Sequence, residues 1–416
     1  KIRSFCKDIL MSKNTHLEHL EDSILLDGEQ GAKDAFMFLD ELARVFTGVQ
    51  SNNFKITTKW DGAPAIFCGT YPGTDKFFVG SKSIFNVNAK INFTNEDIDH
   101  NHGSSPGLAS KLKTCLKYLP ELGIEGIAQG DLLYTDDKVK KKINGTDCII
   151  FQPNTITYCI PKEDELYGKA ANAKLGVVFH TSYSGKDMAS QNASFGYDVS
   201  KLNDSRNVLV LSAETGQLGS DVLLTKSEKT SLEKLKSSSV KSLSDASSFL
   251  DTVAEQIKSK DQLVIGTRLK IFFNKYVREG KKLPTDRVFL KEFQEYFESE
   301  VKKAADKLKT PKGKAAKLAK LYDGLDMIKD HEKALKSTVN LYSALQSAKE
   351  MFIRKLETGE RFGTYLRTDN GYTITAPEGY VAIQEGSTAV KLVDRLSFSV
   401  ANFNVEKNWV NGDTKQ

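Results

Sequence analysis

The chain of 416 residues is 39% hydrophobic and 27% charged, which excludes a disordered chain and is typical of a soluble globular protein. Its net charge of +5 is modest. The length predicts two compact units or one domain with a large insertion, and no apolar run approaches the roughly 20 residues that a membrane-spanning helix needs.

Helices are predicted first along the chain, because apolar residues recur at helical spacing between residues 14 and 47. From Phe54 the pattern changes to short runs rich in β-branched and aromatic residues, separated by Gly, Pro, Asn and Asp. The predicted strands are 54–58, 65–68, 76–79, 148–151 and 176–179, and a helix is predicted at 108–119. This pattern favours a mostly antiparallel sheet with a few helices packed on it.

Between residues 225 and 358 the composition shifts to Lys, Glu, Ser, Ala and Leu with helical periodicity. The predicted helices are 232–257, 286–309 and 315–356, with a turn at 310–314. Strands return at 372–375, 380–383 and 389–393. The simplest organisation is a β-rich domain of residues 1–224 plus 359–416, interrupted by an all-helical insertion of residues 225–358.

The positive charge is concentrated in this helical segment. From Lys226 to Lys355 there are 29 Lys and Arg against 18 Asp and Glu, a net charge of +11 that leaves −6 for the rest of the chain. A basic block of this kind is expected of a protein that binds the phosphate backbone of nucleic acid. A Lys-rich helical surface exposed to solvent explains the same counts.

The five cysteines are odd in number and are widely spaced, with Cys148 and Cys159 the nearest pair. They form neither a CxxC zinc motif nor a recognisable disulfide framework. The cysteine pattern therefore favours a reducing, cytoplasmic setting.

The most informative segment is Lys59-Trp60-Asp61-Gly62, which lies between two predicted strands. A lysine is a nucleophile only when it is unprotonated, so it needs a buried or cation-rich site, and its attack on phosphorus needs a metal ion. A loop between strands at the floor of a pocket can supply such a site. A β-turn with a surface lysine is the alternative interpretation of these four residues.

This segment resembles the first motif of the covalent nucleotidyltransferase superfamily, which comprises ATP- and NAD-dependent polynucleotide ligases and GTP-dependent capping enzymes. The resemblance implies that Lys59 accepts AMP and that Asp61 and Gly62 belong to the nucleotide site. Gly80-Ser81-Lys82-Ser83 is similar to the ribose-contacting segment of the family, which usually has Arg where Lys82 stands.

Later segments are similar to further motifs of the family. Asp131, after Gly130, corresponds to an acidic residue that holds the ribose hydroxyl or a metal-bound water. Phe179 is the candidate for stacking on the purine, with an ordinary core phenylalanine as the alternative. Glu378, in Glu378-Gly-Tyr-Val, corresponds to the carboxylate that binds the catalytic divalent cation.

Lys391 resembles the last core motif, whose lysines neutralise the α-phosphate. The family has Lys-x-Lys there, whereas this chain has Lys391-x-Val393. Lys391 therefore acts alone, or Arg395 assists it, or activity is impaired.

The motifs keep the order of the family, and the resemblance implies an α+β fold with an antiparallel-sheet, ATP-grasp-like nucleotidyltransferase core and a large all-helical insertion. Only 25 residues follow Lys391, too few for the β-barrel of DNA ligases, so phage RNA ligases are the closest match. The implied activity is ATP-dependent ligation of polynucleotides, RNA rather than DNA, with ATP and Mg²⁺ as cofactors. The candidate phosphate contacts in the helical segment are Arg268, Lys270, Lys275, Arg278, Lys281 and Lys282, whereas the interleaved Phe272, Phe273 and Tyr276 are expected in its core.

Two alternatives stay open. The missing second lysine and the Asp at position 131, where Glu is commoner, favour a non-catalytic nucleic-acid-binding or virion-associated protein with a degenerate fold. Alternating Asp and His at 97–103 form a metal site only if that segment is extended. His16 and His19, on a predicted helix, are expected to be surface residues rather than ligands.

Overall fold

The computed structural model describes residues 18–48, 54–215, 222–359, 362–368, 371–384 and 388–396. The helices of these residues are α1 (Ser23–Leu26), α2 (Gly28–Val45), α3 (Asn95–His102), α4 (Pro106–Tyr118), α5 (Tyr167–Asn172), α6 (Lys226–Lys258), α7 (Ile265–Arg278), α8 (Asp286–Asp306), α9 (Pro311–Asp330) and α10 (Glu332–Glu357). The strands are β1 (Phe54–Lys59), β2 (Ala65–Thr70), β3 (Phe77–Gly80), β4 (Ile127–Tyr134), β5 (Val139–Ile143), β6 (Thr146–Phe151), β7 (Ile156–Pro161), β8 (Leu175–Ser184), β9 (Asn192–Phe195), β10 (Val208–Ser212), β11 (Gly363–Thr368), β12 (Gly371–Ile374), β13 (Gly379–Gln384) and β14 (Thr388–Leu392).

The strands form three sheets. Sheet A has the order β1-β13-β14, and sheet B has the order β10-β8-β4-β2-β3 with β9 paired to β8. Sheet C has the order β12-β11-β7-β6-β5. Every pairing is antiparallel except that of β8 with β10. The prediction of an α+β fold with antiparallel sheets is confirmed.

Sheet B packs on other elements through both faces. One face packs on α3 and α4 through a cluster that includes Leu112 and Phe179. The other packs on sheet C, where Ile149 and Phe151 of β6 meet Leu133 of β4. Side chains alternate along β6, so its apolar run Cys148-Ile149-Ile150-Phe151 supplies two side chains to this core and two to the far face of sheet C.

The helical segment shares one continuous core with α1, α2 and sheet A. Phe289, Phe293 and Phe297 recur every fourth residue of α8 and are fully buried in this core. The same cluster contains Ile56 of β1 and Leu392 of β14. Residues 225–358 therefore pack against parts of the chain on both sides of them in sequence. The division into a catalytic and a nucleic-acid-binding part stays a prediction.

The helical segment differs from its predicted form in two places, the first being α7, which was not among the predicted helices. The break between α8 and α9 lies at residues 307–310, just before the predicted turn at 310–314, because Pro311 begins α9 and the Thr310 side chain caps it by accepting from the Gly313 N–H. The prediction of one helix over 315–356 is wrong, because α9 ends at Asp330 and α10 begins at Glu332. Helical periodicity continues on both sides of His331, so the pattern does not reveal a break of one residue.

The cysteine prediction also needs correction. Cys148 of β6 and Cys159 of β7 form a disulfide bond, with their Cα atoms 5.7 Å apart. The pairing of β6 with β7 brings the two residues together, which their sequence spacing alone does not show. Cys68 and Cys115 are free and buried. Among the described residues, no helix is both long and apolar enough to cross a membrane.

Candidate active site

Lys59 is the last residue of β1 and lies opposite Gly379, the first residue of β13. This register places its side chain beside Glu378, and the Lys59 ammonium forms an ion pair with the Glu378 carboxylate. Both side chains are largely buried. Burial raises the pKa of Glu378 to about 7, although the positive charge of Lys59 opposes the shift. Two of the predicted site residues therefore meet directly.

The loop after Lys59 is fixed against β4. The Ala63 N–H donates to the Leu132 carbonyl at 3.0 Å, and the Leu132 N–H donates to the Pro64 carbonyl at 3.1 Å. Gly62 lies so close to Asp131 that an added Cβ would be 2.3 Å from the Asp131 Cβ. The glycine of this motif is thus required by the close approach of the loop to the strand that carries Asp131.

Asp61 has a structural role that differs from the predicted one. Its Oδ2 atom accepts from the Thr155 and Ile156 N–H groups at 2.7 and 2.8 Å, and its Oδ1 atom accepts from the Asn154 amide at 2.7 Å. The Asp61 N–H donates to the Tyr158 hydroxyl at 2.7 Å. Burial raises the pKa of Asp61 against these hydrogen bonds. Its carboxylate therefore ties the Lys59 loop to the β6–β7 turn rather than lining the cleft.

Asp131 faces a cleft between sheets A and B. The cleft has a volume of about 460 Å³, and its lining includes Lys59, Lys82, Asp131, His180, Tyr183 and Lys391. The chain thus brings together at one cavity four residues predicted separately from segments between positions 59 and 391. Lys82 lies at its exposed rim.

Phe179 does not line this cleft. Its ring is fully buried on the opposite face of sheet B, 5.2 Å from the ring of Tyr197. The predicted stacking role is therefore corrected to the core role that was the alternative. The cause is strand alternation, since Val178 and His180 on either side of Phe179 face the cleft.

His180 is a cleft residue that the sequence did not single out. The pairing of β4 with β8 shifts register between Gln129 and Gly130, so that Gln129 pairs with Thr181 and Gly130 with Phe179, and His180 is left over. The His180 Nε2 atom lies 3.7 Å from the Asp131 carboxylate, and Nδ1 lies 2.8 Å from the Thr181 hydroxyl. The bulge thus places a flat polar ring beside Asp131.

Lys391 lies on β14 opposite Val381 and points into the cleft. Burial lowers its pKa, and the nearby positive charge of Lys59 lowers it further. Val393, at the position of the second lysine of the family, is buried and lies close to Gly379. Lys391 is therefore the cation that this strand presents to the cleft.

Arg395 is held away from the cleft. Its guanidinium donates to the Asp22 carboxylate at 2.9 Å, to the Tyr342 hydroxyl at 2.8 Å and to the Asn274 amide oxygen at 2.7 Å. The possibility that Arg395 replaces the second lysine is therefore not favoured by the structure. Beside it, the buried Lys349 ammonium pairs with Glu21 at 2.7 Å.

His19 lies next to Lys391, because residues 18 and 19 run alongside β14 and the Lys391 N–H donates to the Glu18 carbonyl at 3.2 Å. The expectation of a surface histidine on a helix is wrong, since His19 is largely buried and precedes the first helix of the described residues. Burial lowers the pKa of His19, and four neighbouring cations lower it further. His16 lies outside the described residues.

Glu378 and Asp131 are the two carboxylates that were predicted to hold Mg²⁺, and they line neighbouring cavities. This ion is usually bound by one or two carboxylates together with substrate phosphates and waters. The negative charge of Asp131 contributes to the raised pKa of Glu378, which places the two carboxylates within electrostatic reach of each other. Within the described residues, no group of three or more His, Cys, Asp and Glu side chains could hold a metal ion without such a substrate.

The alternative metal site at 97–103 has no extended backbone. Residues 95–102 form α3, and Asp97 caps its start by accepting from the Phe93 and Thr94 N–H groups. Asp99 pairs with Lys113. The alternation of Asp and His therefore does not put these side chains on one side.

The candidate phosphate contacts on and after α7 divide into two sets. Arg268 is largely buried and pairs with Glu300 at 2.9 Å, while Lys275 and Lys281 share Glu279. These three are committed to other residues of the helical segment. The remaining cations form no ion pair within the described residues: they are Lys270, Arg278 and Lys282. Phe272 and Phe273 are buried in the core and Tyr276 packs partly against it, as expected.

Comparison with known proteins gives a family and no function. Residues 14–407 match the model of a family of unknown function (DUF6267), and the chain belongs to that family. No curated protein and no solved structure matches the chain. The function therefore has to be argued from the residues of the cleft.

Proposed function

We propose that this protein, a member of a family of unknown function, is an ATP-dependent polynucleotide ligase that acts on RNA through a covalent lysyl-AMP intermediate. The observation that carries the proposal is that Lys59, Asp131 and Lys391 line one cleft, while Glu378, which lines a neighbouring cavity, pairs with Lys59. Their motifs occur in the order of the nucleotidyltransferase superfamily, and they come from three strands and a loop that are distant in sequence.

In the first step, the Lys59 amine attacks the α-phosphorus of ATP. A P–N bond forms, the bond from the α-phosphorus to the bridging oxygen breaks, and pyrophosphate leaves. Lys391 lies on the same cleft and would neutralise the negative charge that develops on the α-phosphate. Glu378 and Asp131 would hold Mg²⁺, which when bound supplies positive charge to the phosphate oxygens.

In the later steps, AMP passes from Lys59 to the 5′-phosphate of a polynucleotide, and a 3′-hydroxyl then attacks that phosphate and displaces AMP. The cleft volume of about 460 Å³ is in the range of small-molecule and nucleotide sites. His180 is the only histidine in this lining. Like Val178, it faces the cleft, whereas Phe179 between them faces away. RNA is favoured over DNA because the chain resembles phage RNA ligases, which have a helical accessory segment.

The direct test is incubation with α-labelled ATP and Mg²⁺, followed by denaturing electrophoresis. We expect label on the wild-type protein, loss of label with EDTA, and none on Lys59→Ala or Lys59→Arg. The matched control is Lys55→Ala on the same strand, whose side chain is 53% exposed and pairs with Glu214, and it should be labelled like the wild type. Equal labelling of wild type and Lys59→Ala would refute the role of Lys59.

A second candidate function is nucleic-acid binding without catalysis. It is favoured by Val393 at the second lysine position and by the engagement of Arg395 with Asp22, which leave Lys391 without a second cation from that segment. In this case the wild type takes up no label while it still binds RNA.

A further inference from the structure

Sheet C has one face that no other element of the described residues covers. Its inner face, which carries Ile149, Phe151 and Tyr158, packs on sheet B. Its outer face carries the alternate side chains of each strand. Those that reach the surface are Val139 and Lys141 of β5, Tyr365 and Arg367 of β11, and Tyr372 and Ile374 of β12.

The outer face exposes two large apolar side chains. Ile374 is 74% exposed and Val139 is 51% exposed. Beneath them is a small cluster of Ile143, Ile150 and the Cys148–Cys159 pair, all from sheet C itself. Exposed apolar surface of this kind marks an interaction site more often than isolated surface side chains do.

Two tyrosine rings lie on this face. The Tyr365 ring folds back along its own strand towards Gly363, where an added Cβ would lie 2.9 Å from the Tyr365 Cε2 atom. Tyr372 meets Tyr365 edge to face, with ring centroids 6.5 Å apart and an interplanar angle of 86°. Both rings are half-buried, so part of each remains open to a ligand.

The face is concave. The Lys141 ammonium lies 4.8 Å from the centre of the Tyr372 ring, although β5 and β12 are the two edge strands of the five-stranded sheet. In a flat sheet these strands would be roughly 19 Å apart, at about 4.8 Å per strand, which exceeds the reach of a lysine side chain. The sheet therefore curls and brings Lys141 over the rings on its outer face.

The charge on the outer face is positive. Lys141 and Arg367 are exposed and form no ion pair within the described residues. Lys142, the next residue, points to the other face and pairs with Asp147 at 3.7 Å. Aromatic rings with unpaired cations beside them are the combination that binds single-stranded nucleic acid, where bases stack on the rings and phosphates meet the cations.

We propose that the outer face of sheet C binds single-stranded polynucleotide, with bases against Tyr365 and Tyr372 and phosphates against Lys141 and Arg367. The inference rests on the proposed function in one respect only: it takes the bound polynucleotide to be the substrate. Sheet C also holds the Lys59 loop, through Tyr158 and Asp61. The polynucleotide would therefore bind to the sheet that positions the proposed nucleophile. This surface is separate from the candidate phosphate contacts on and after α7, half of which pair with carboxylates.

The test is fluorescence anisotropy of a labelled, mixed-sequence single-stranded 20-mer RNA with the full chain. Tyr372→Leu and Tyr365→Leu keep an apolar side chain on the face and should each raise Kd about five-fold or more. Lys141→Ala should raise Kd and reduce the slope of log Kd against log salt by about one. The matched control Lys142→Ala removes a lysine from the same strand and the opposite face, and should change Kd less than two-fold.

Four outcomes would overturn the proposal. Both leucine variants could bind RNA like the wild type, or Lys141→Ala and Lys142→Ala could weaken binding equally. The combined variant Lys270→Ala, Arg278→Ala and Lys282→Ala could abolish binding that the outer-face variants leave intact. Displacement of the RNA by poly-glutamate at equal charge concentration would point to an acidic protein partner and would also count against it.

The covalent-labelling assay on the same variants separates the two proposals. Tyr372→Leu and Lys141→Ala should keep wild-type labelling of Lys59, because they lie on the face of sheet C away from the cleft. Labelling without outer-face binding would remove this inference alone. Outer-face binding without labelling would leave the surface in place and remove the ligase activity.

Discussion

Lys59 and Glu378 form an ion pair although 319 residues separate them in the chain. The pair links the proposed nucleophile on β1 to the carboxylate just before β13, and it exists because these two strands are neighbours in sheet A. In the proposed reaction, Lys59 must lose a proton and leave this carboxylate before it attacks ATP.

The pH dependence of stability should report on Glu378. Burial raises its pKa to about 7 from 4.5, so between these values the folded state binds a proton that the unfolded state has released. The contribution of this carboxyl to the free energy of unfolding should therefore fall as pH rises from about 4.5 to about 7. Urea denaturation in EDTA measures the free energy of unfolding of the wild type and of Glu378→Gln. As pH rises, the free energy of unfolding of the variant should increase relative to that of the wild type. A difference independent of pH would contradict the raised pKa.

Replacement of Gly62 by alanine should damage the site. Since the new Cβ would be 2.3 Å from the Asp131 Cβ, the loop or β4 must move, at a cost of about 1–3 kcal/mol. We expect a lower free energy of unfolding and slower labelling of Lys59. Gly168→Ala, in the short helix α5 with nothing within 4 Å of the added Cβ, is the control and should be close to neutral.

Asp61→Asn should destabilise the protein rather than abolish ATP binding selectively. An amide offers one acceptor oxygen where the carboxylate accepts three hydrogen bonds, so at least one buried donor loses its partner. The expected loss is about 1–3 kcal/mol in the free energy of unfolding. The exposed Asp75→Asn serves as control and should lie within about 0.5 kcal/mol of wild type. Unchanged stability of Asp61→Asn would restore the nucleotide-binding interpretation.

Lys391 and Arg395 should have separable effects. Lys391→Met removes the cation that lines the cleft and should slow labelling about 100-fold with little change in stability. Arg395→Met leaves Asp22 without its ion-pair partner and should lower the free energy of unfolding by about 3–5 kcal/mol. Labelling rate and urea denaturation of both variants test this. The reverse pattern would place Arg395 in the cleft.

Eight of the fourteen strands of the described residues, and the helices α1, α2, α4, α6 and α8, could be predicted from the sequence because their periodicity is local. The strands β4, β5, β7, β9, β10 and β11 and the helices α3, α5 and α7 were not predicted. Lys59, Asp131 and Lys391 could be predicted from sequence motifs, and all three line the cleft. Phe179 could not be assigned correctly, because the sequence of β8 does not show which of its alternating side chains face the cleft. The bulge at His180, which places that ring beside Asp131, could not be predicted either.

Other differences arise from contacts distant in sequence. Asp61 looked like a ligand-binding residue, but its partners at 154–156 are brought to it by the packing of the β6–β7 turn. The Cys148–Cys159 bond depends on strand pairing in the same way. The shared core of the helical segment with β1 and β14 could not be anticipated from a change in composition.

The pairing of β1 with β13 has a consequence for synthesis of the protein. Lys59 is synthesised before its partner strand, which follows more than 300 residues later. Until then the nascent chain has no complete cleft. On the proposed function, a product that ends before Gly379 should therefore take up no label from ATP.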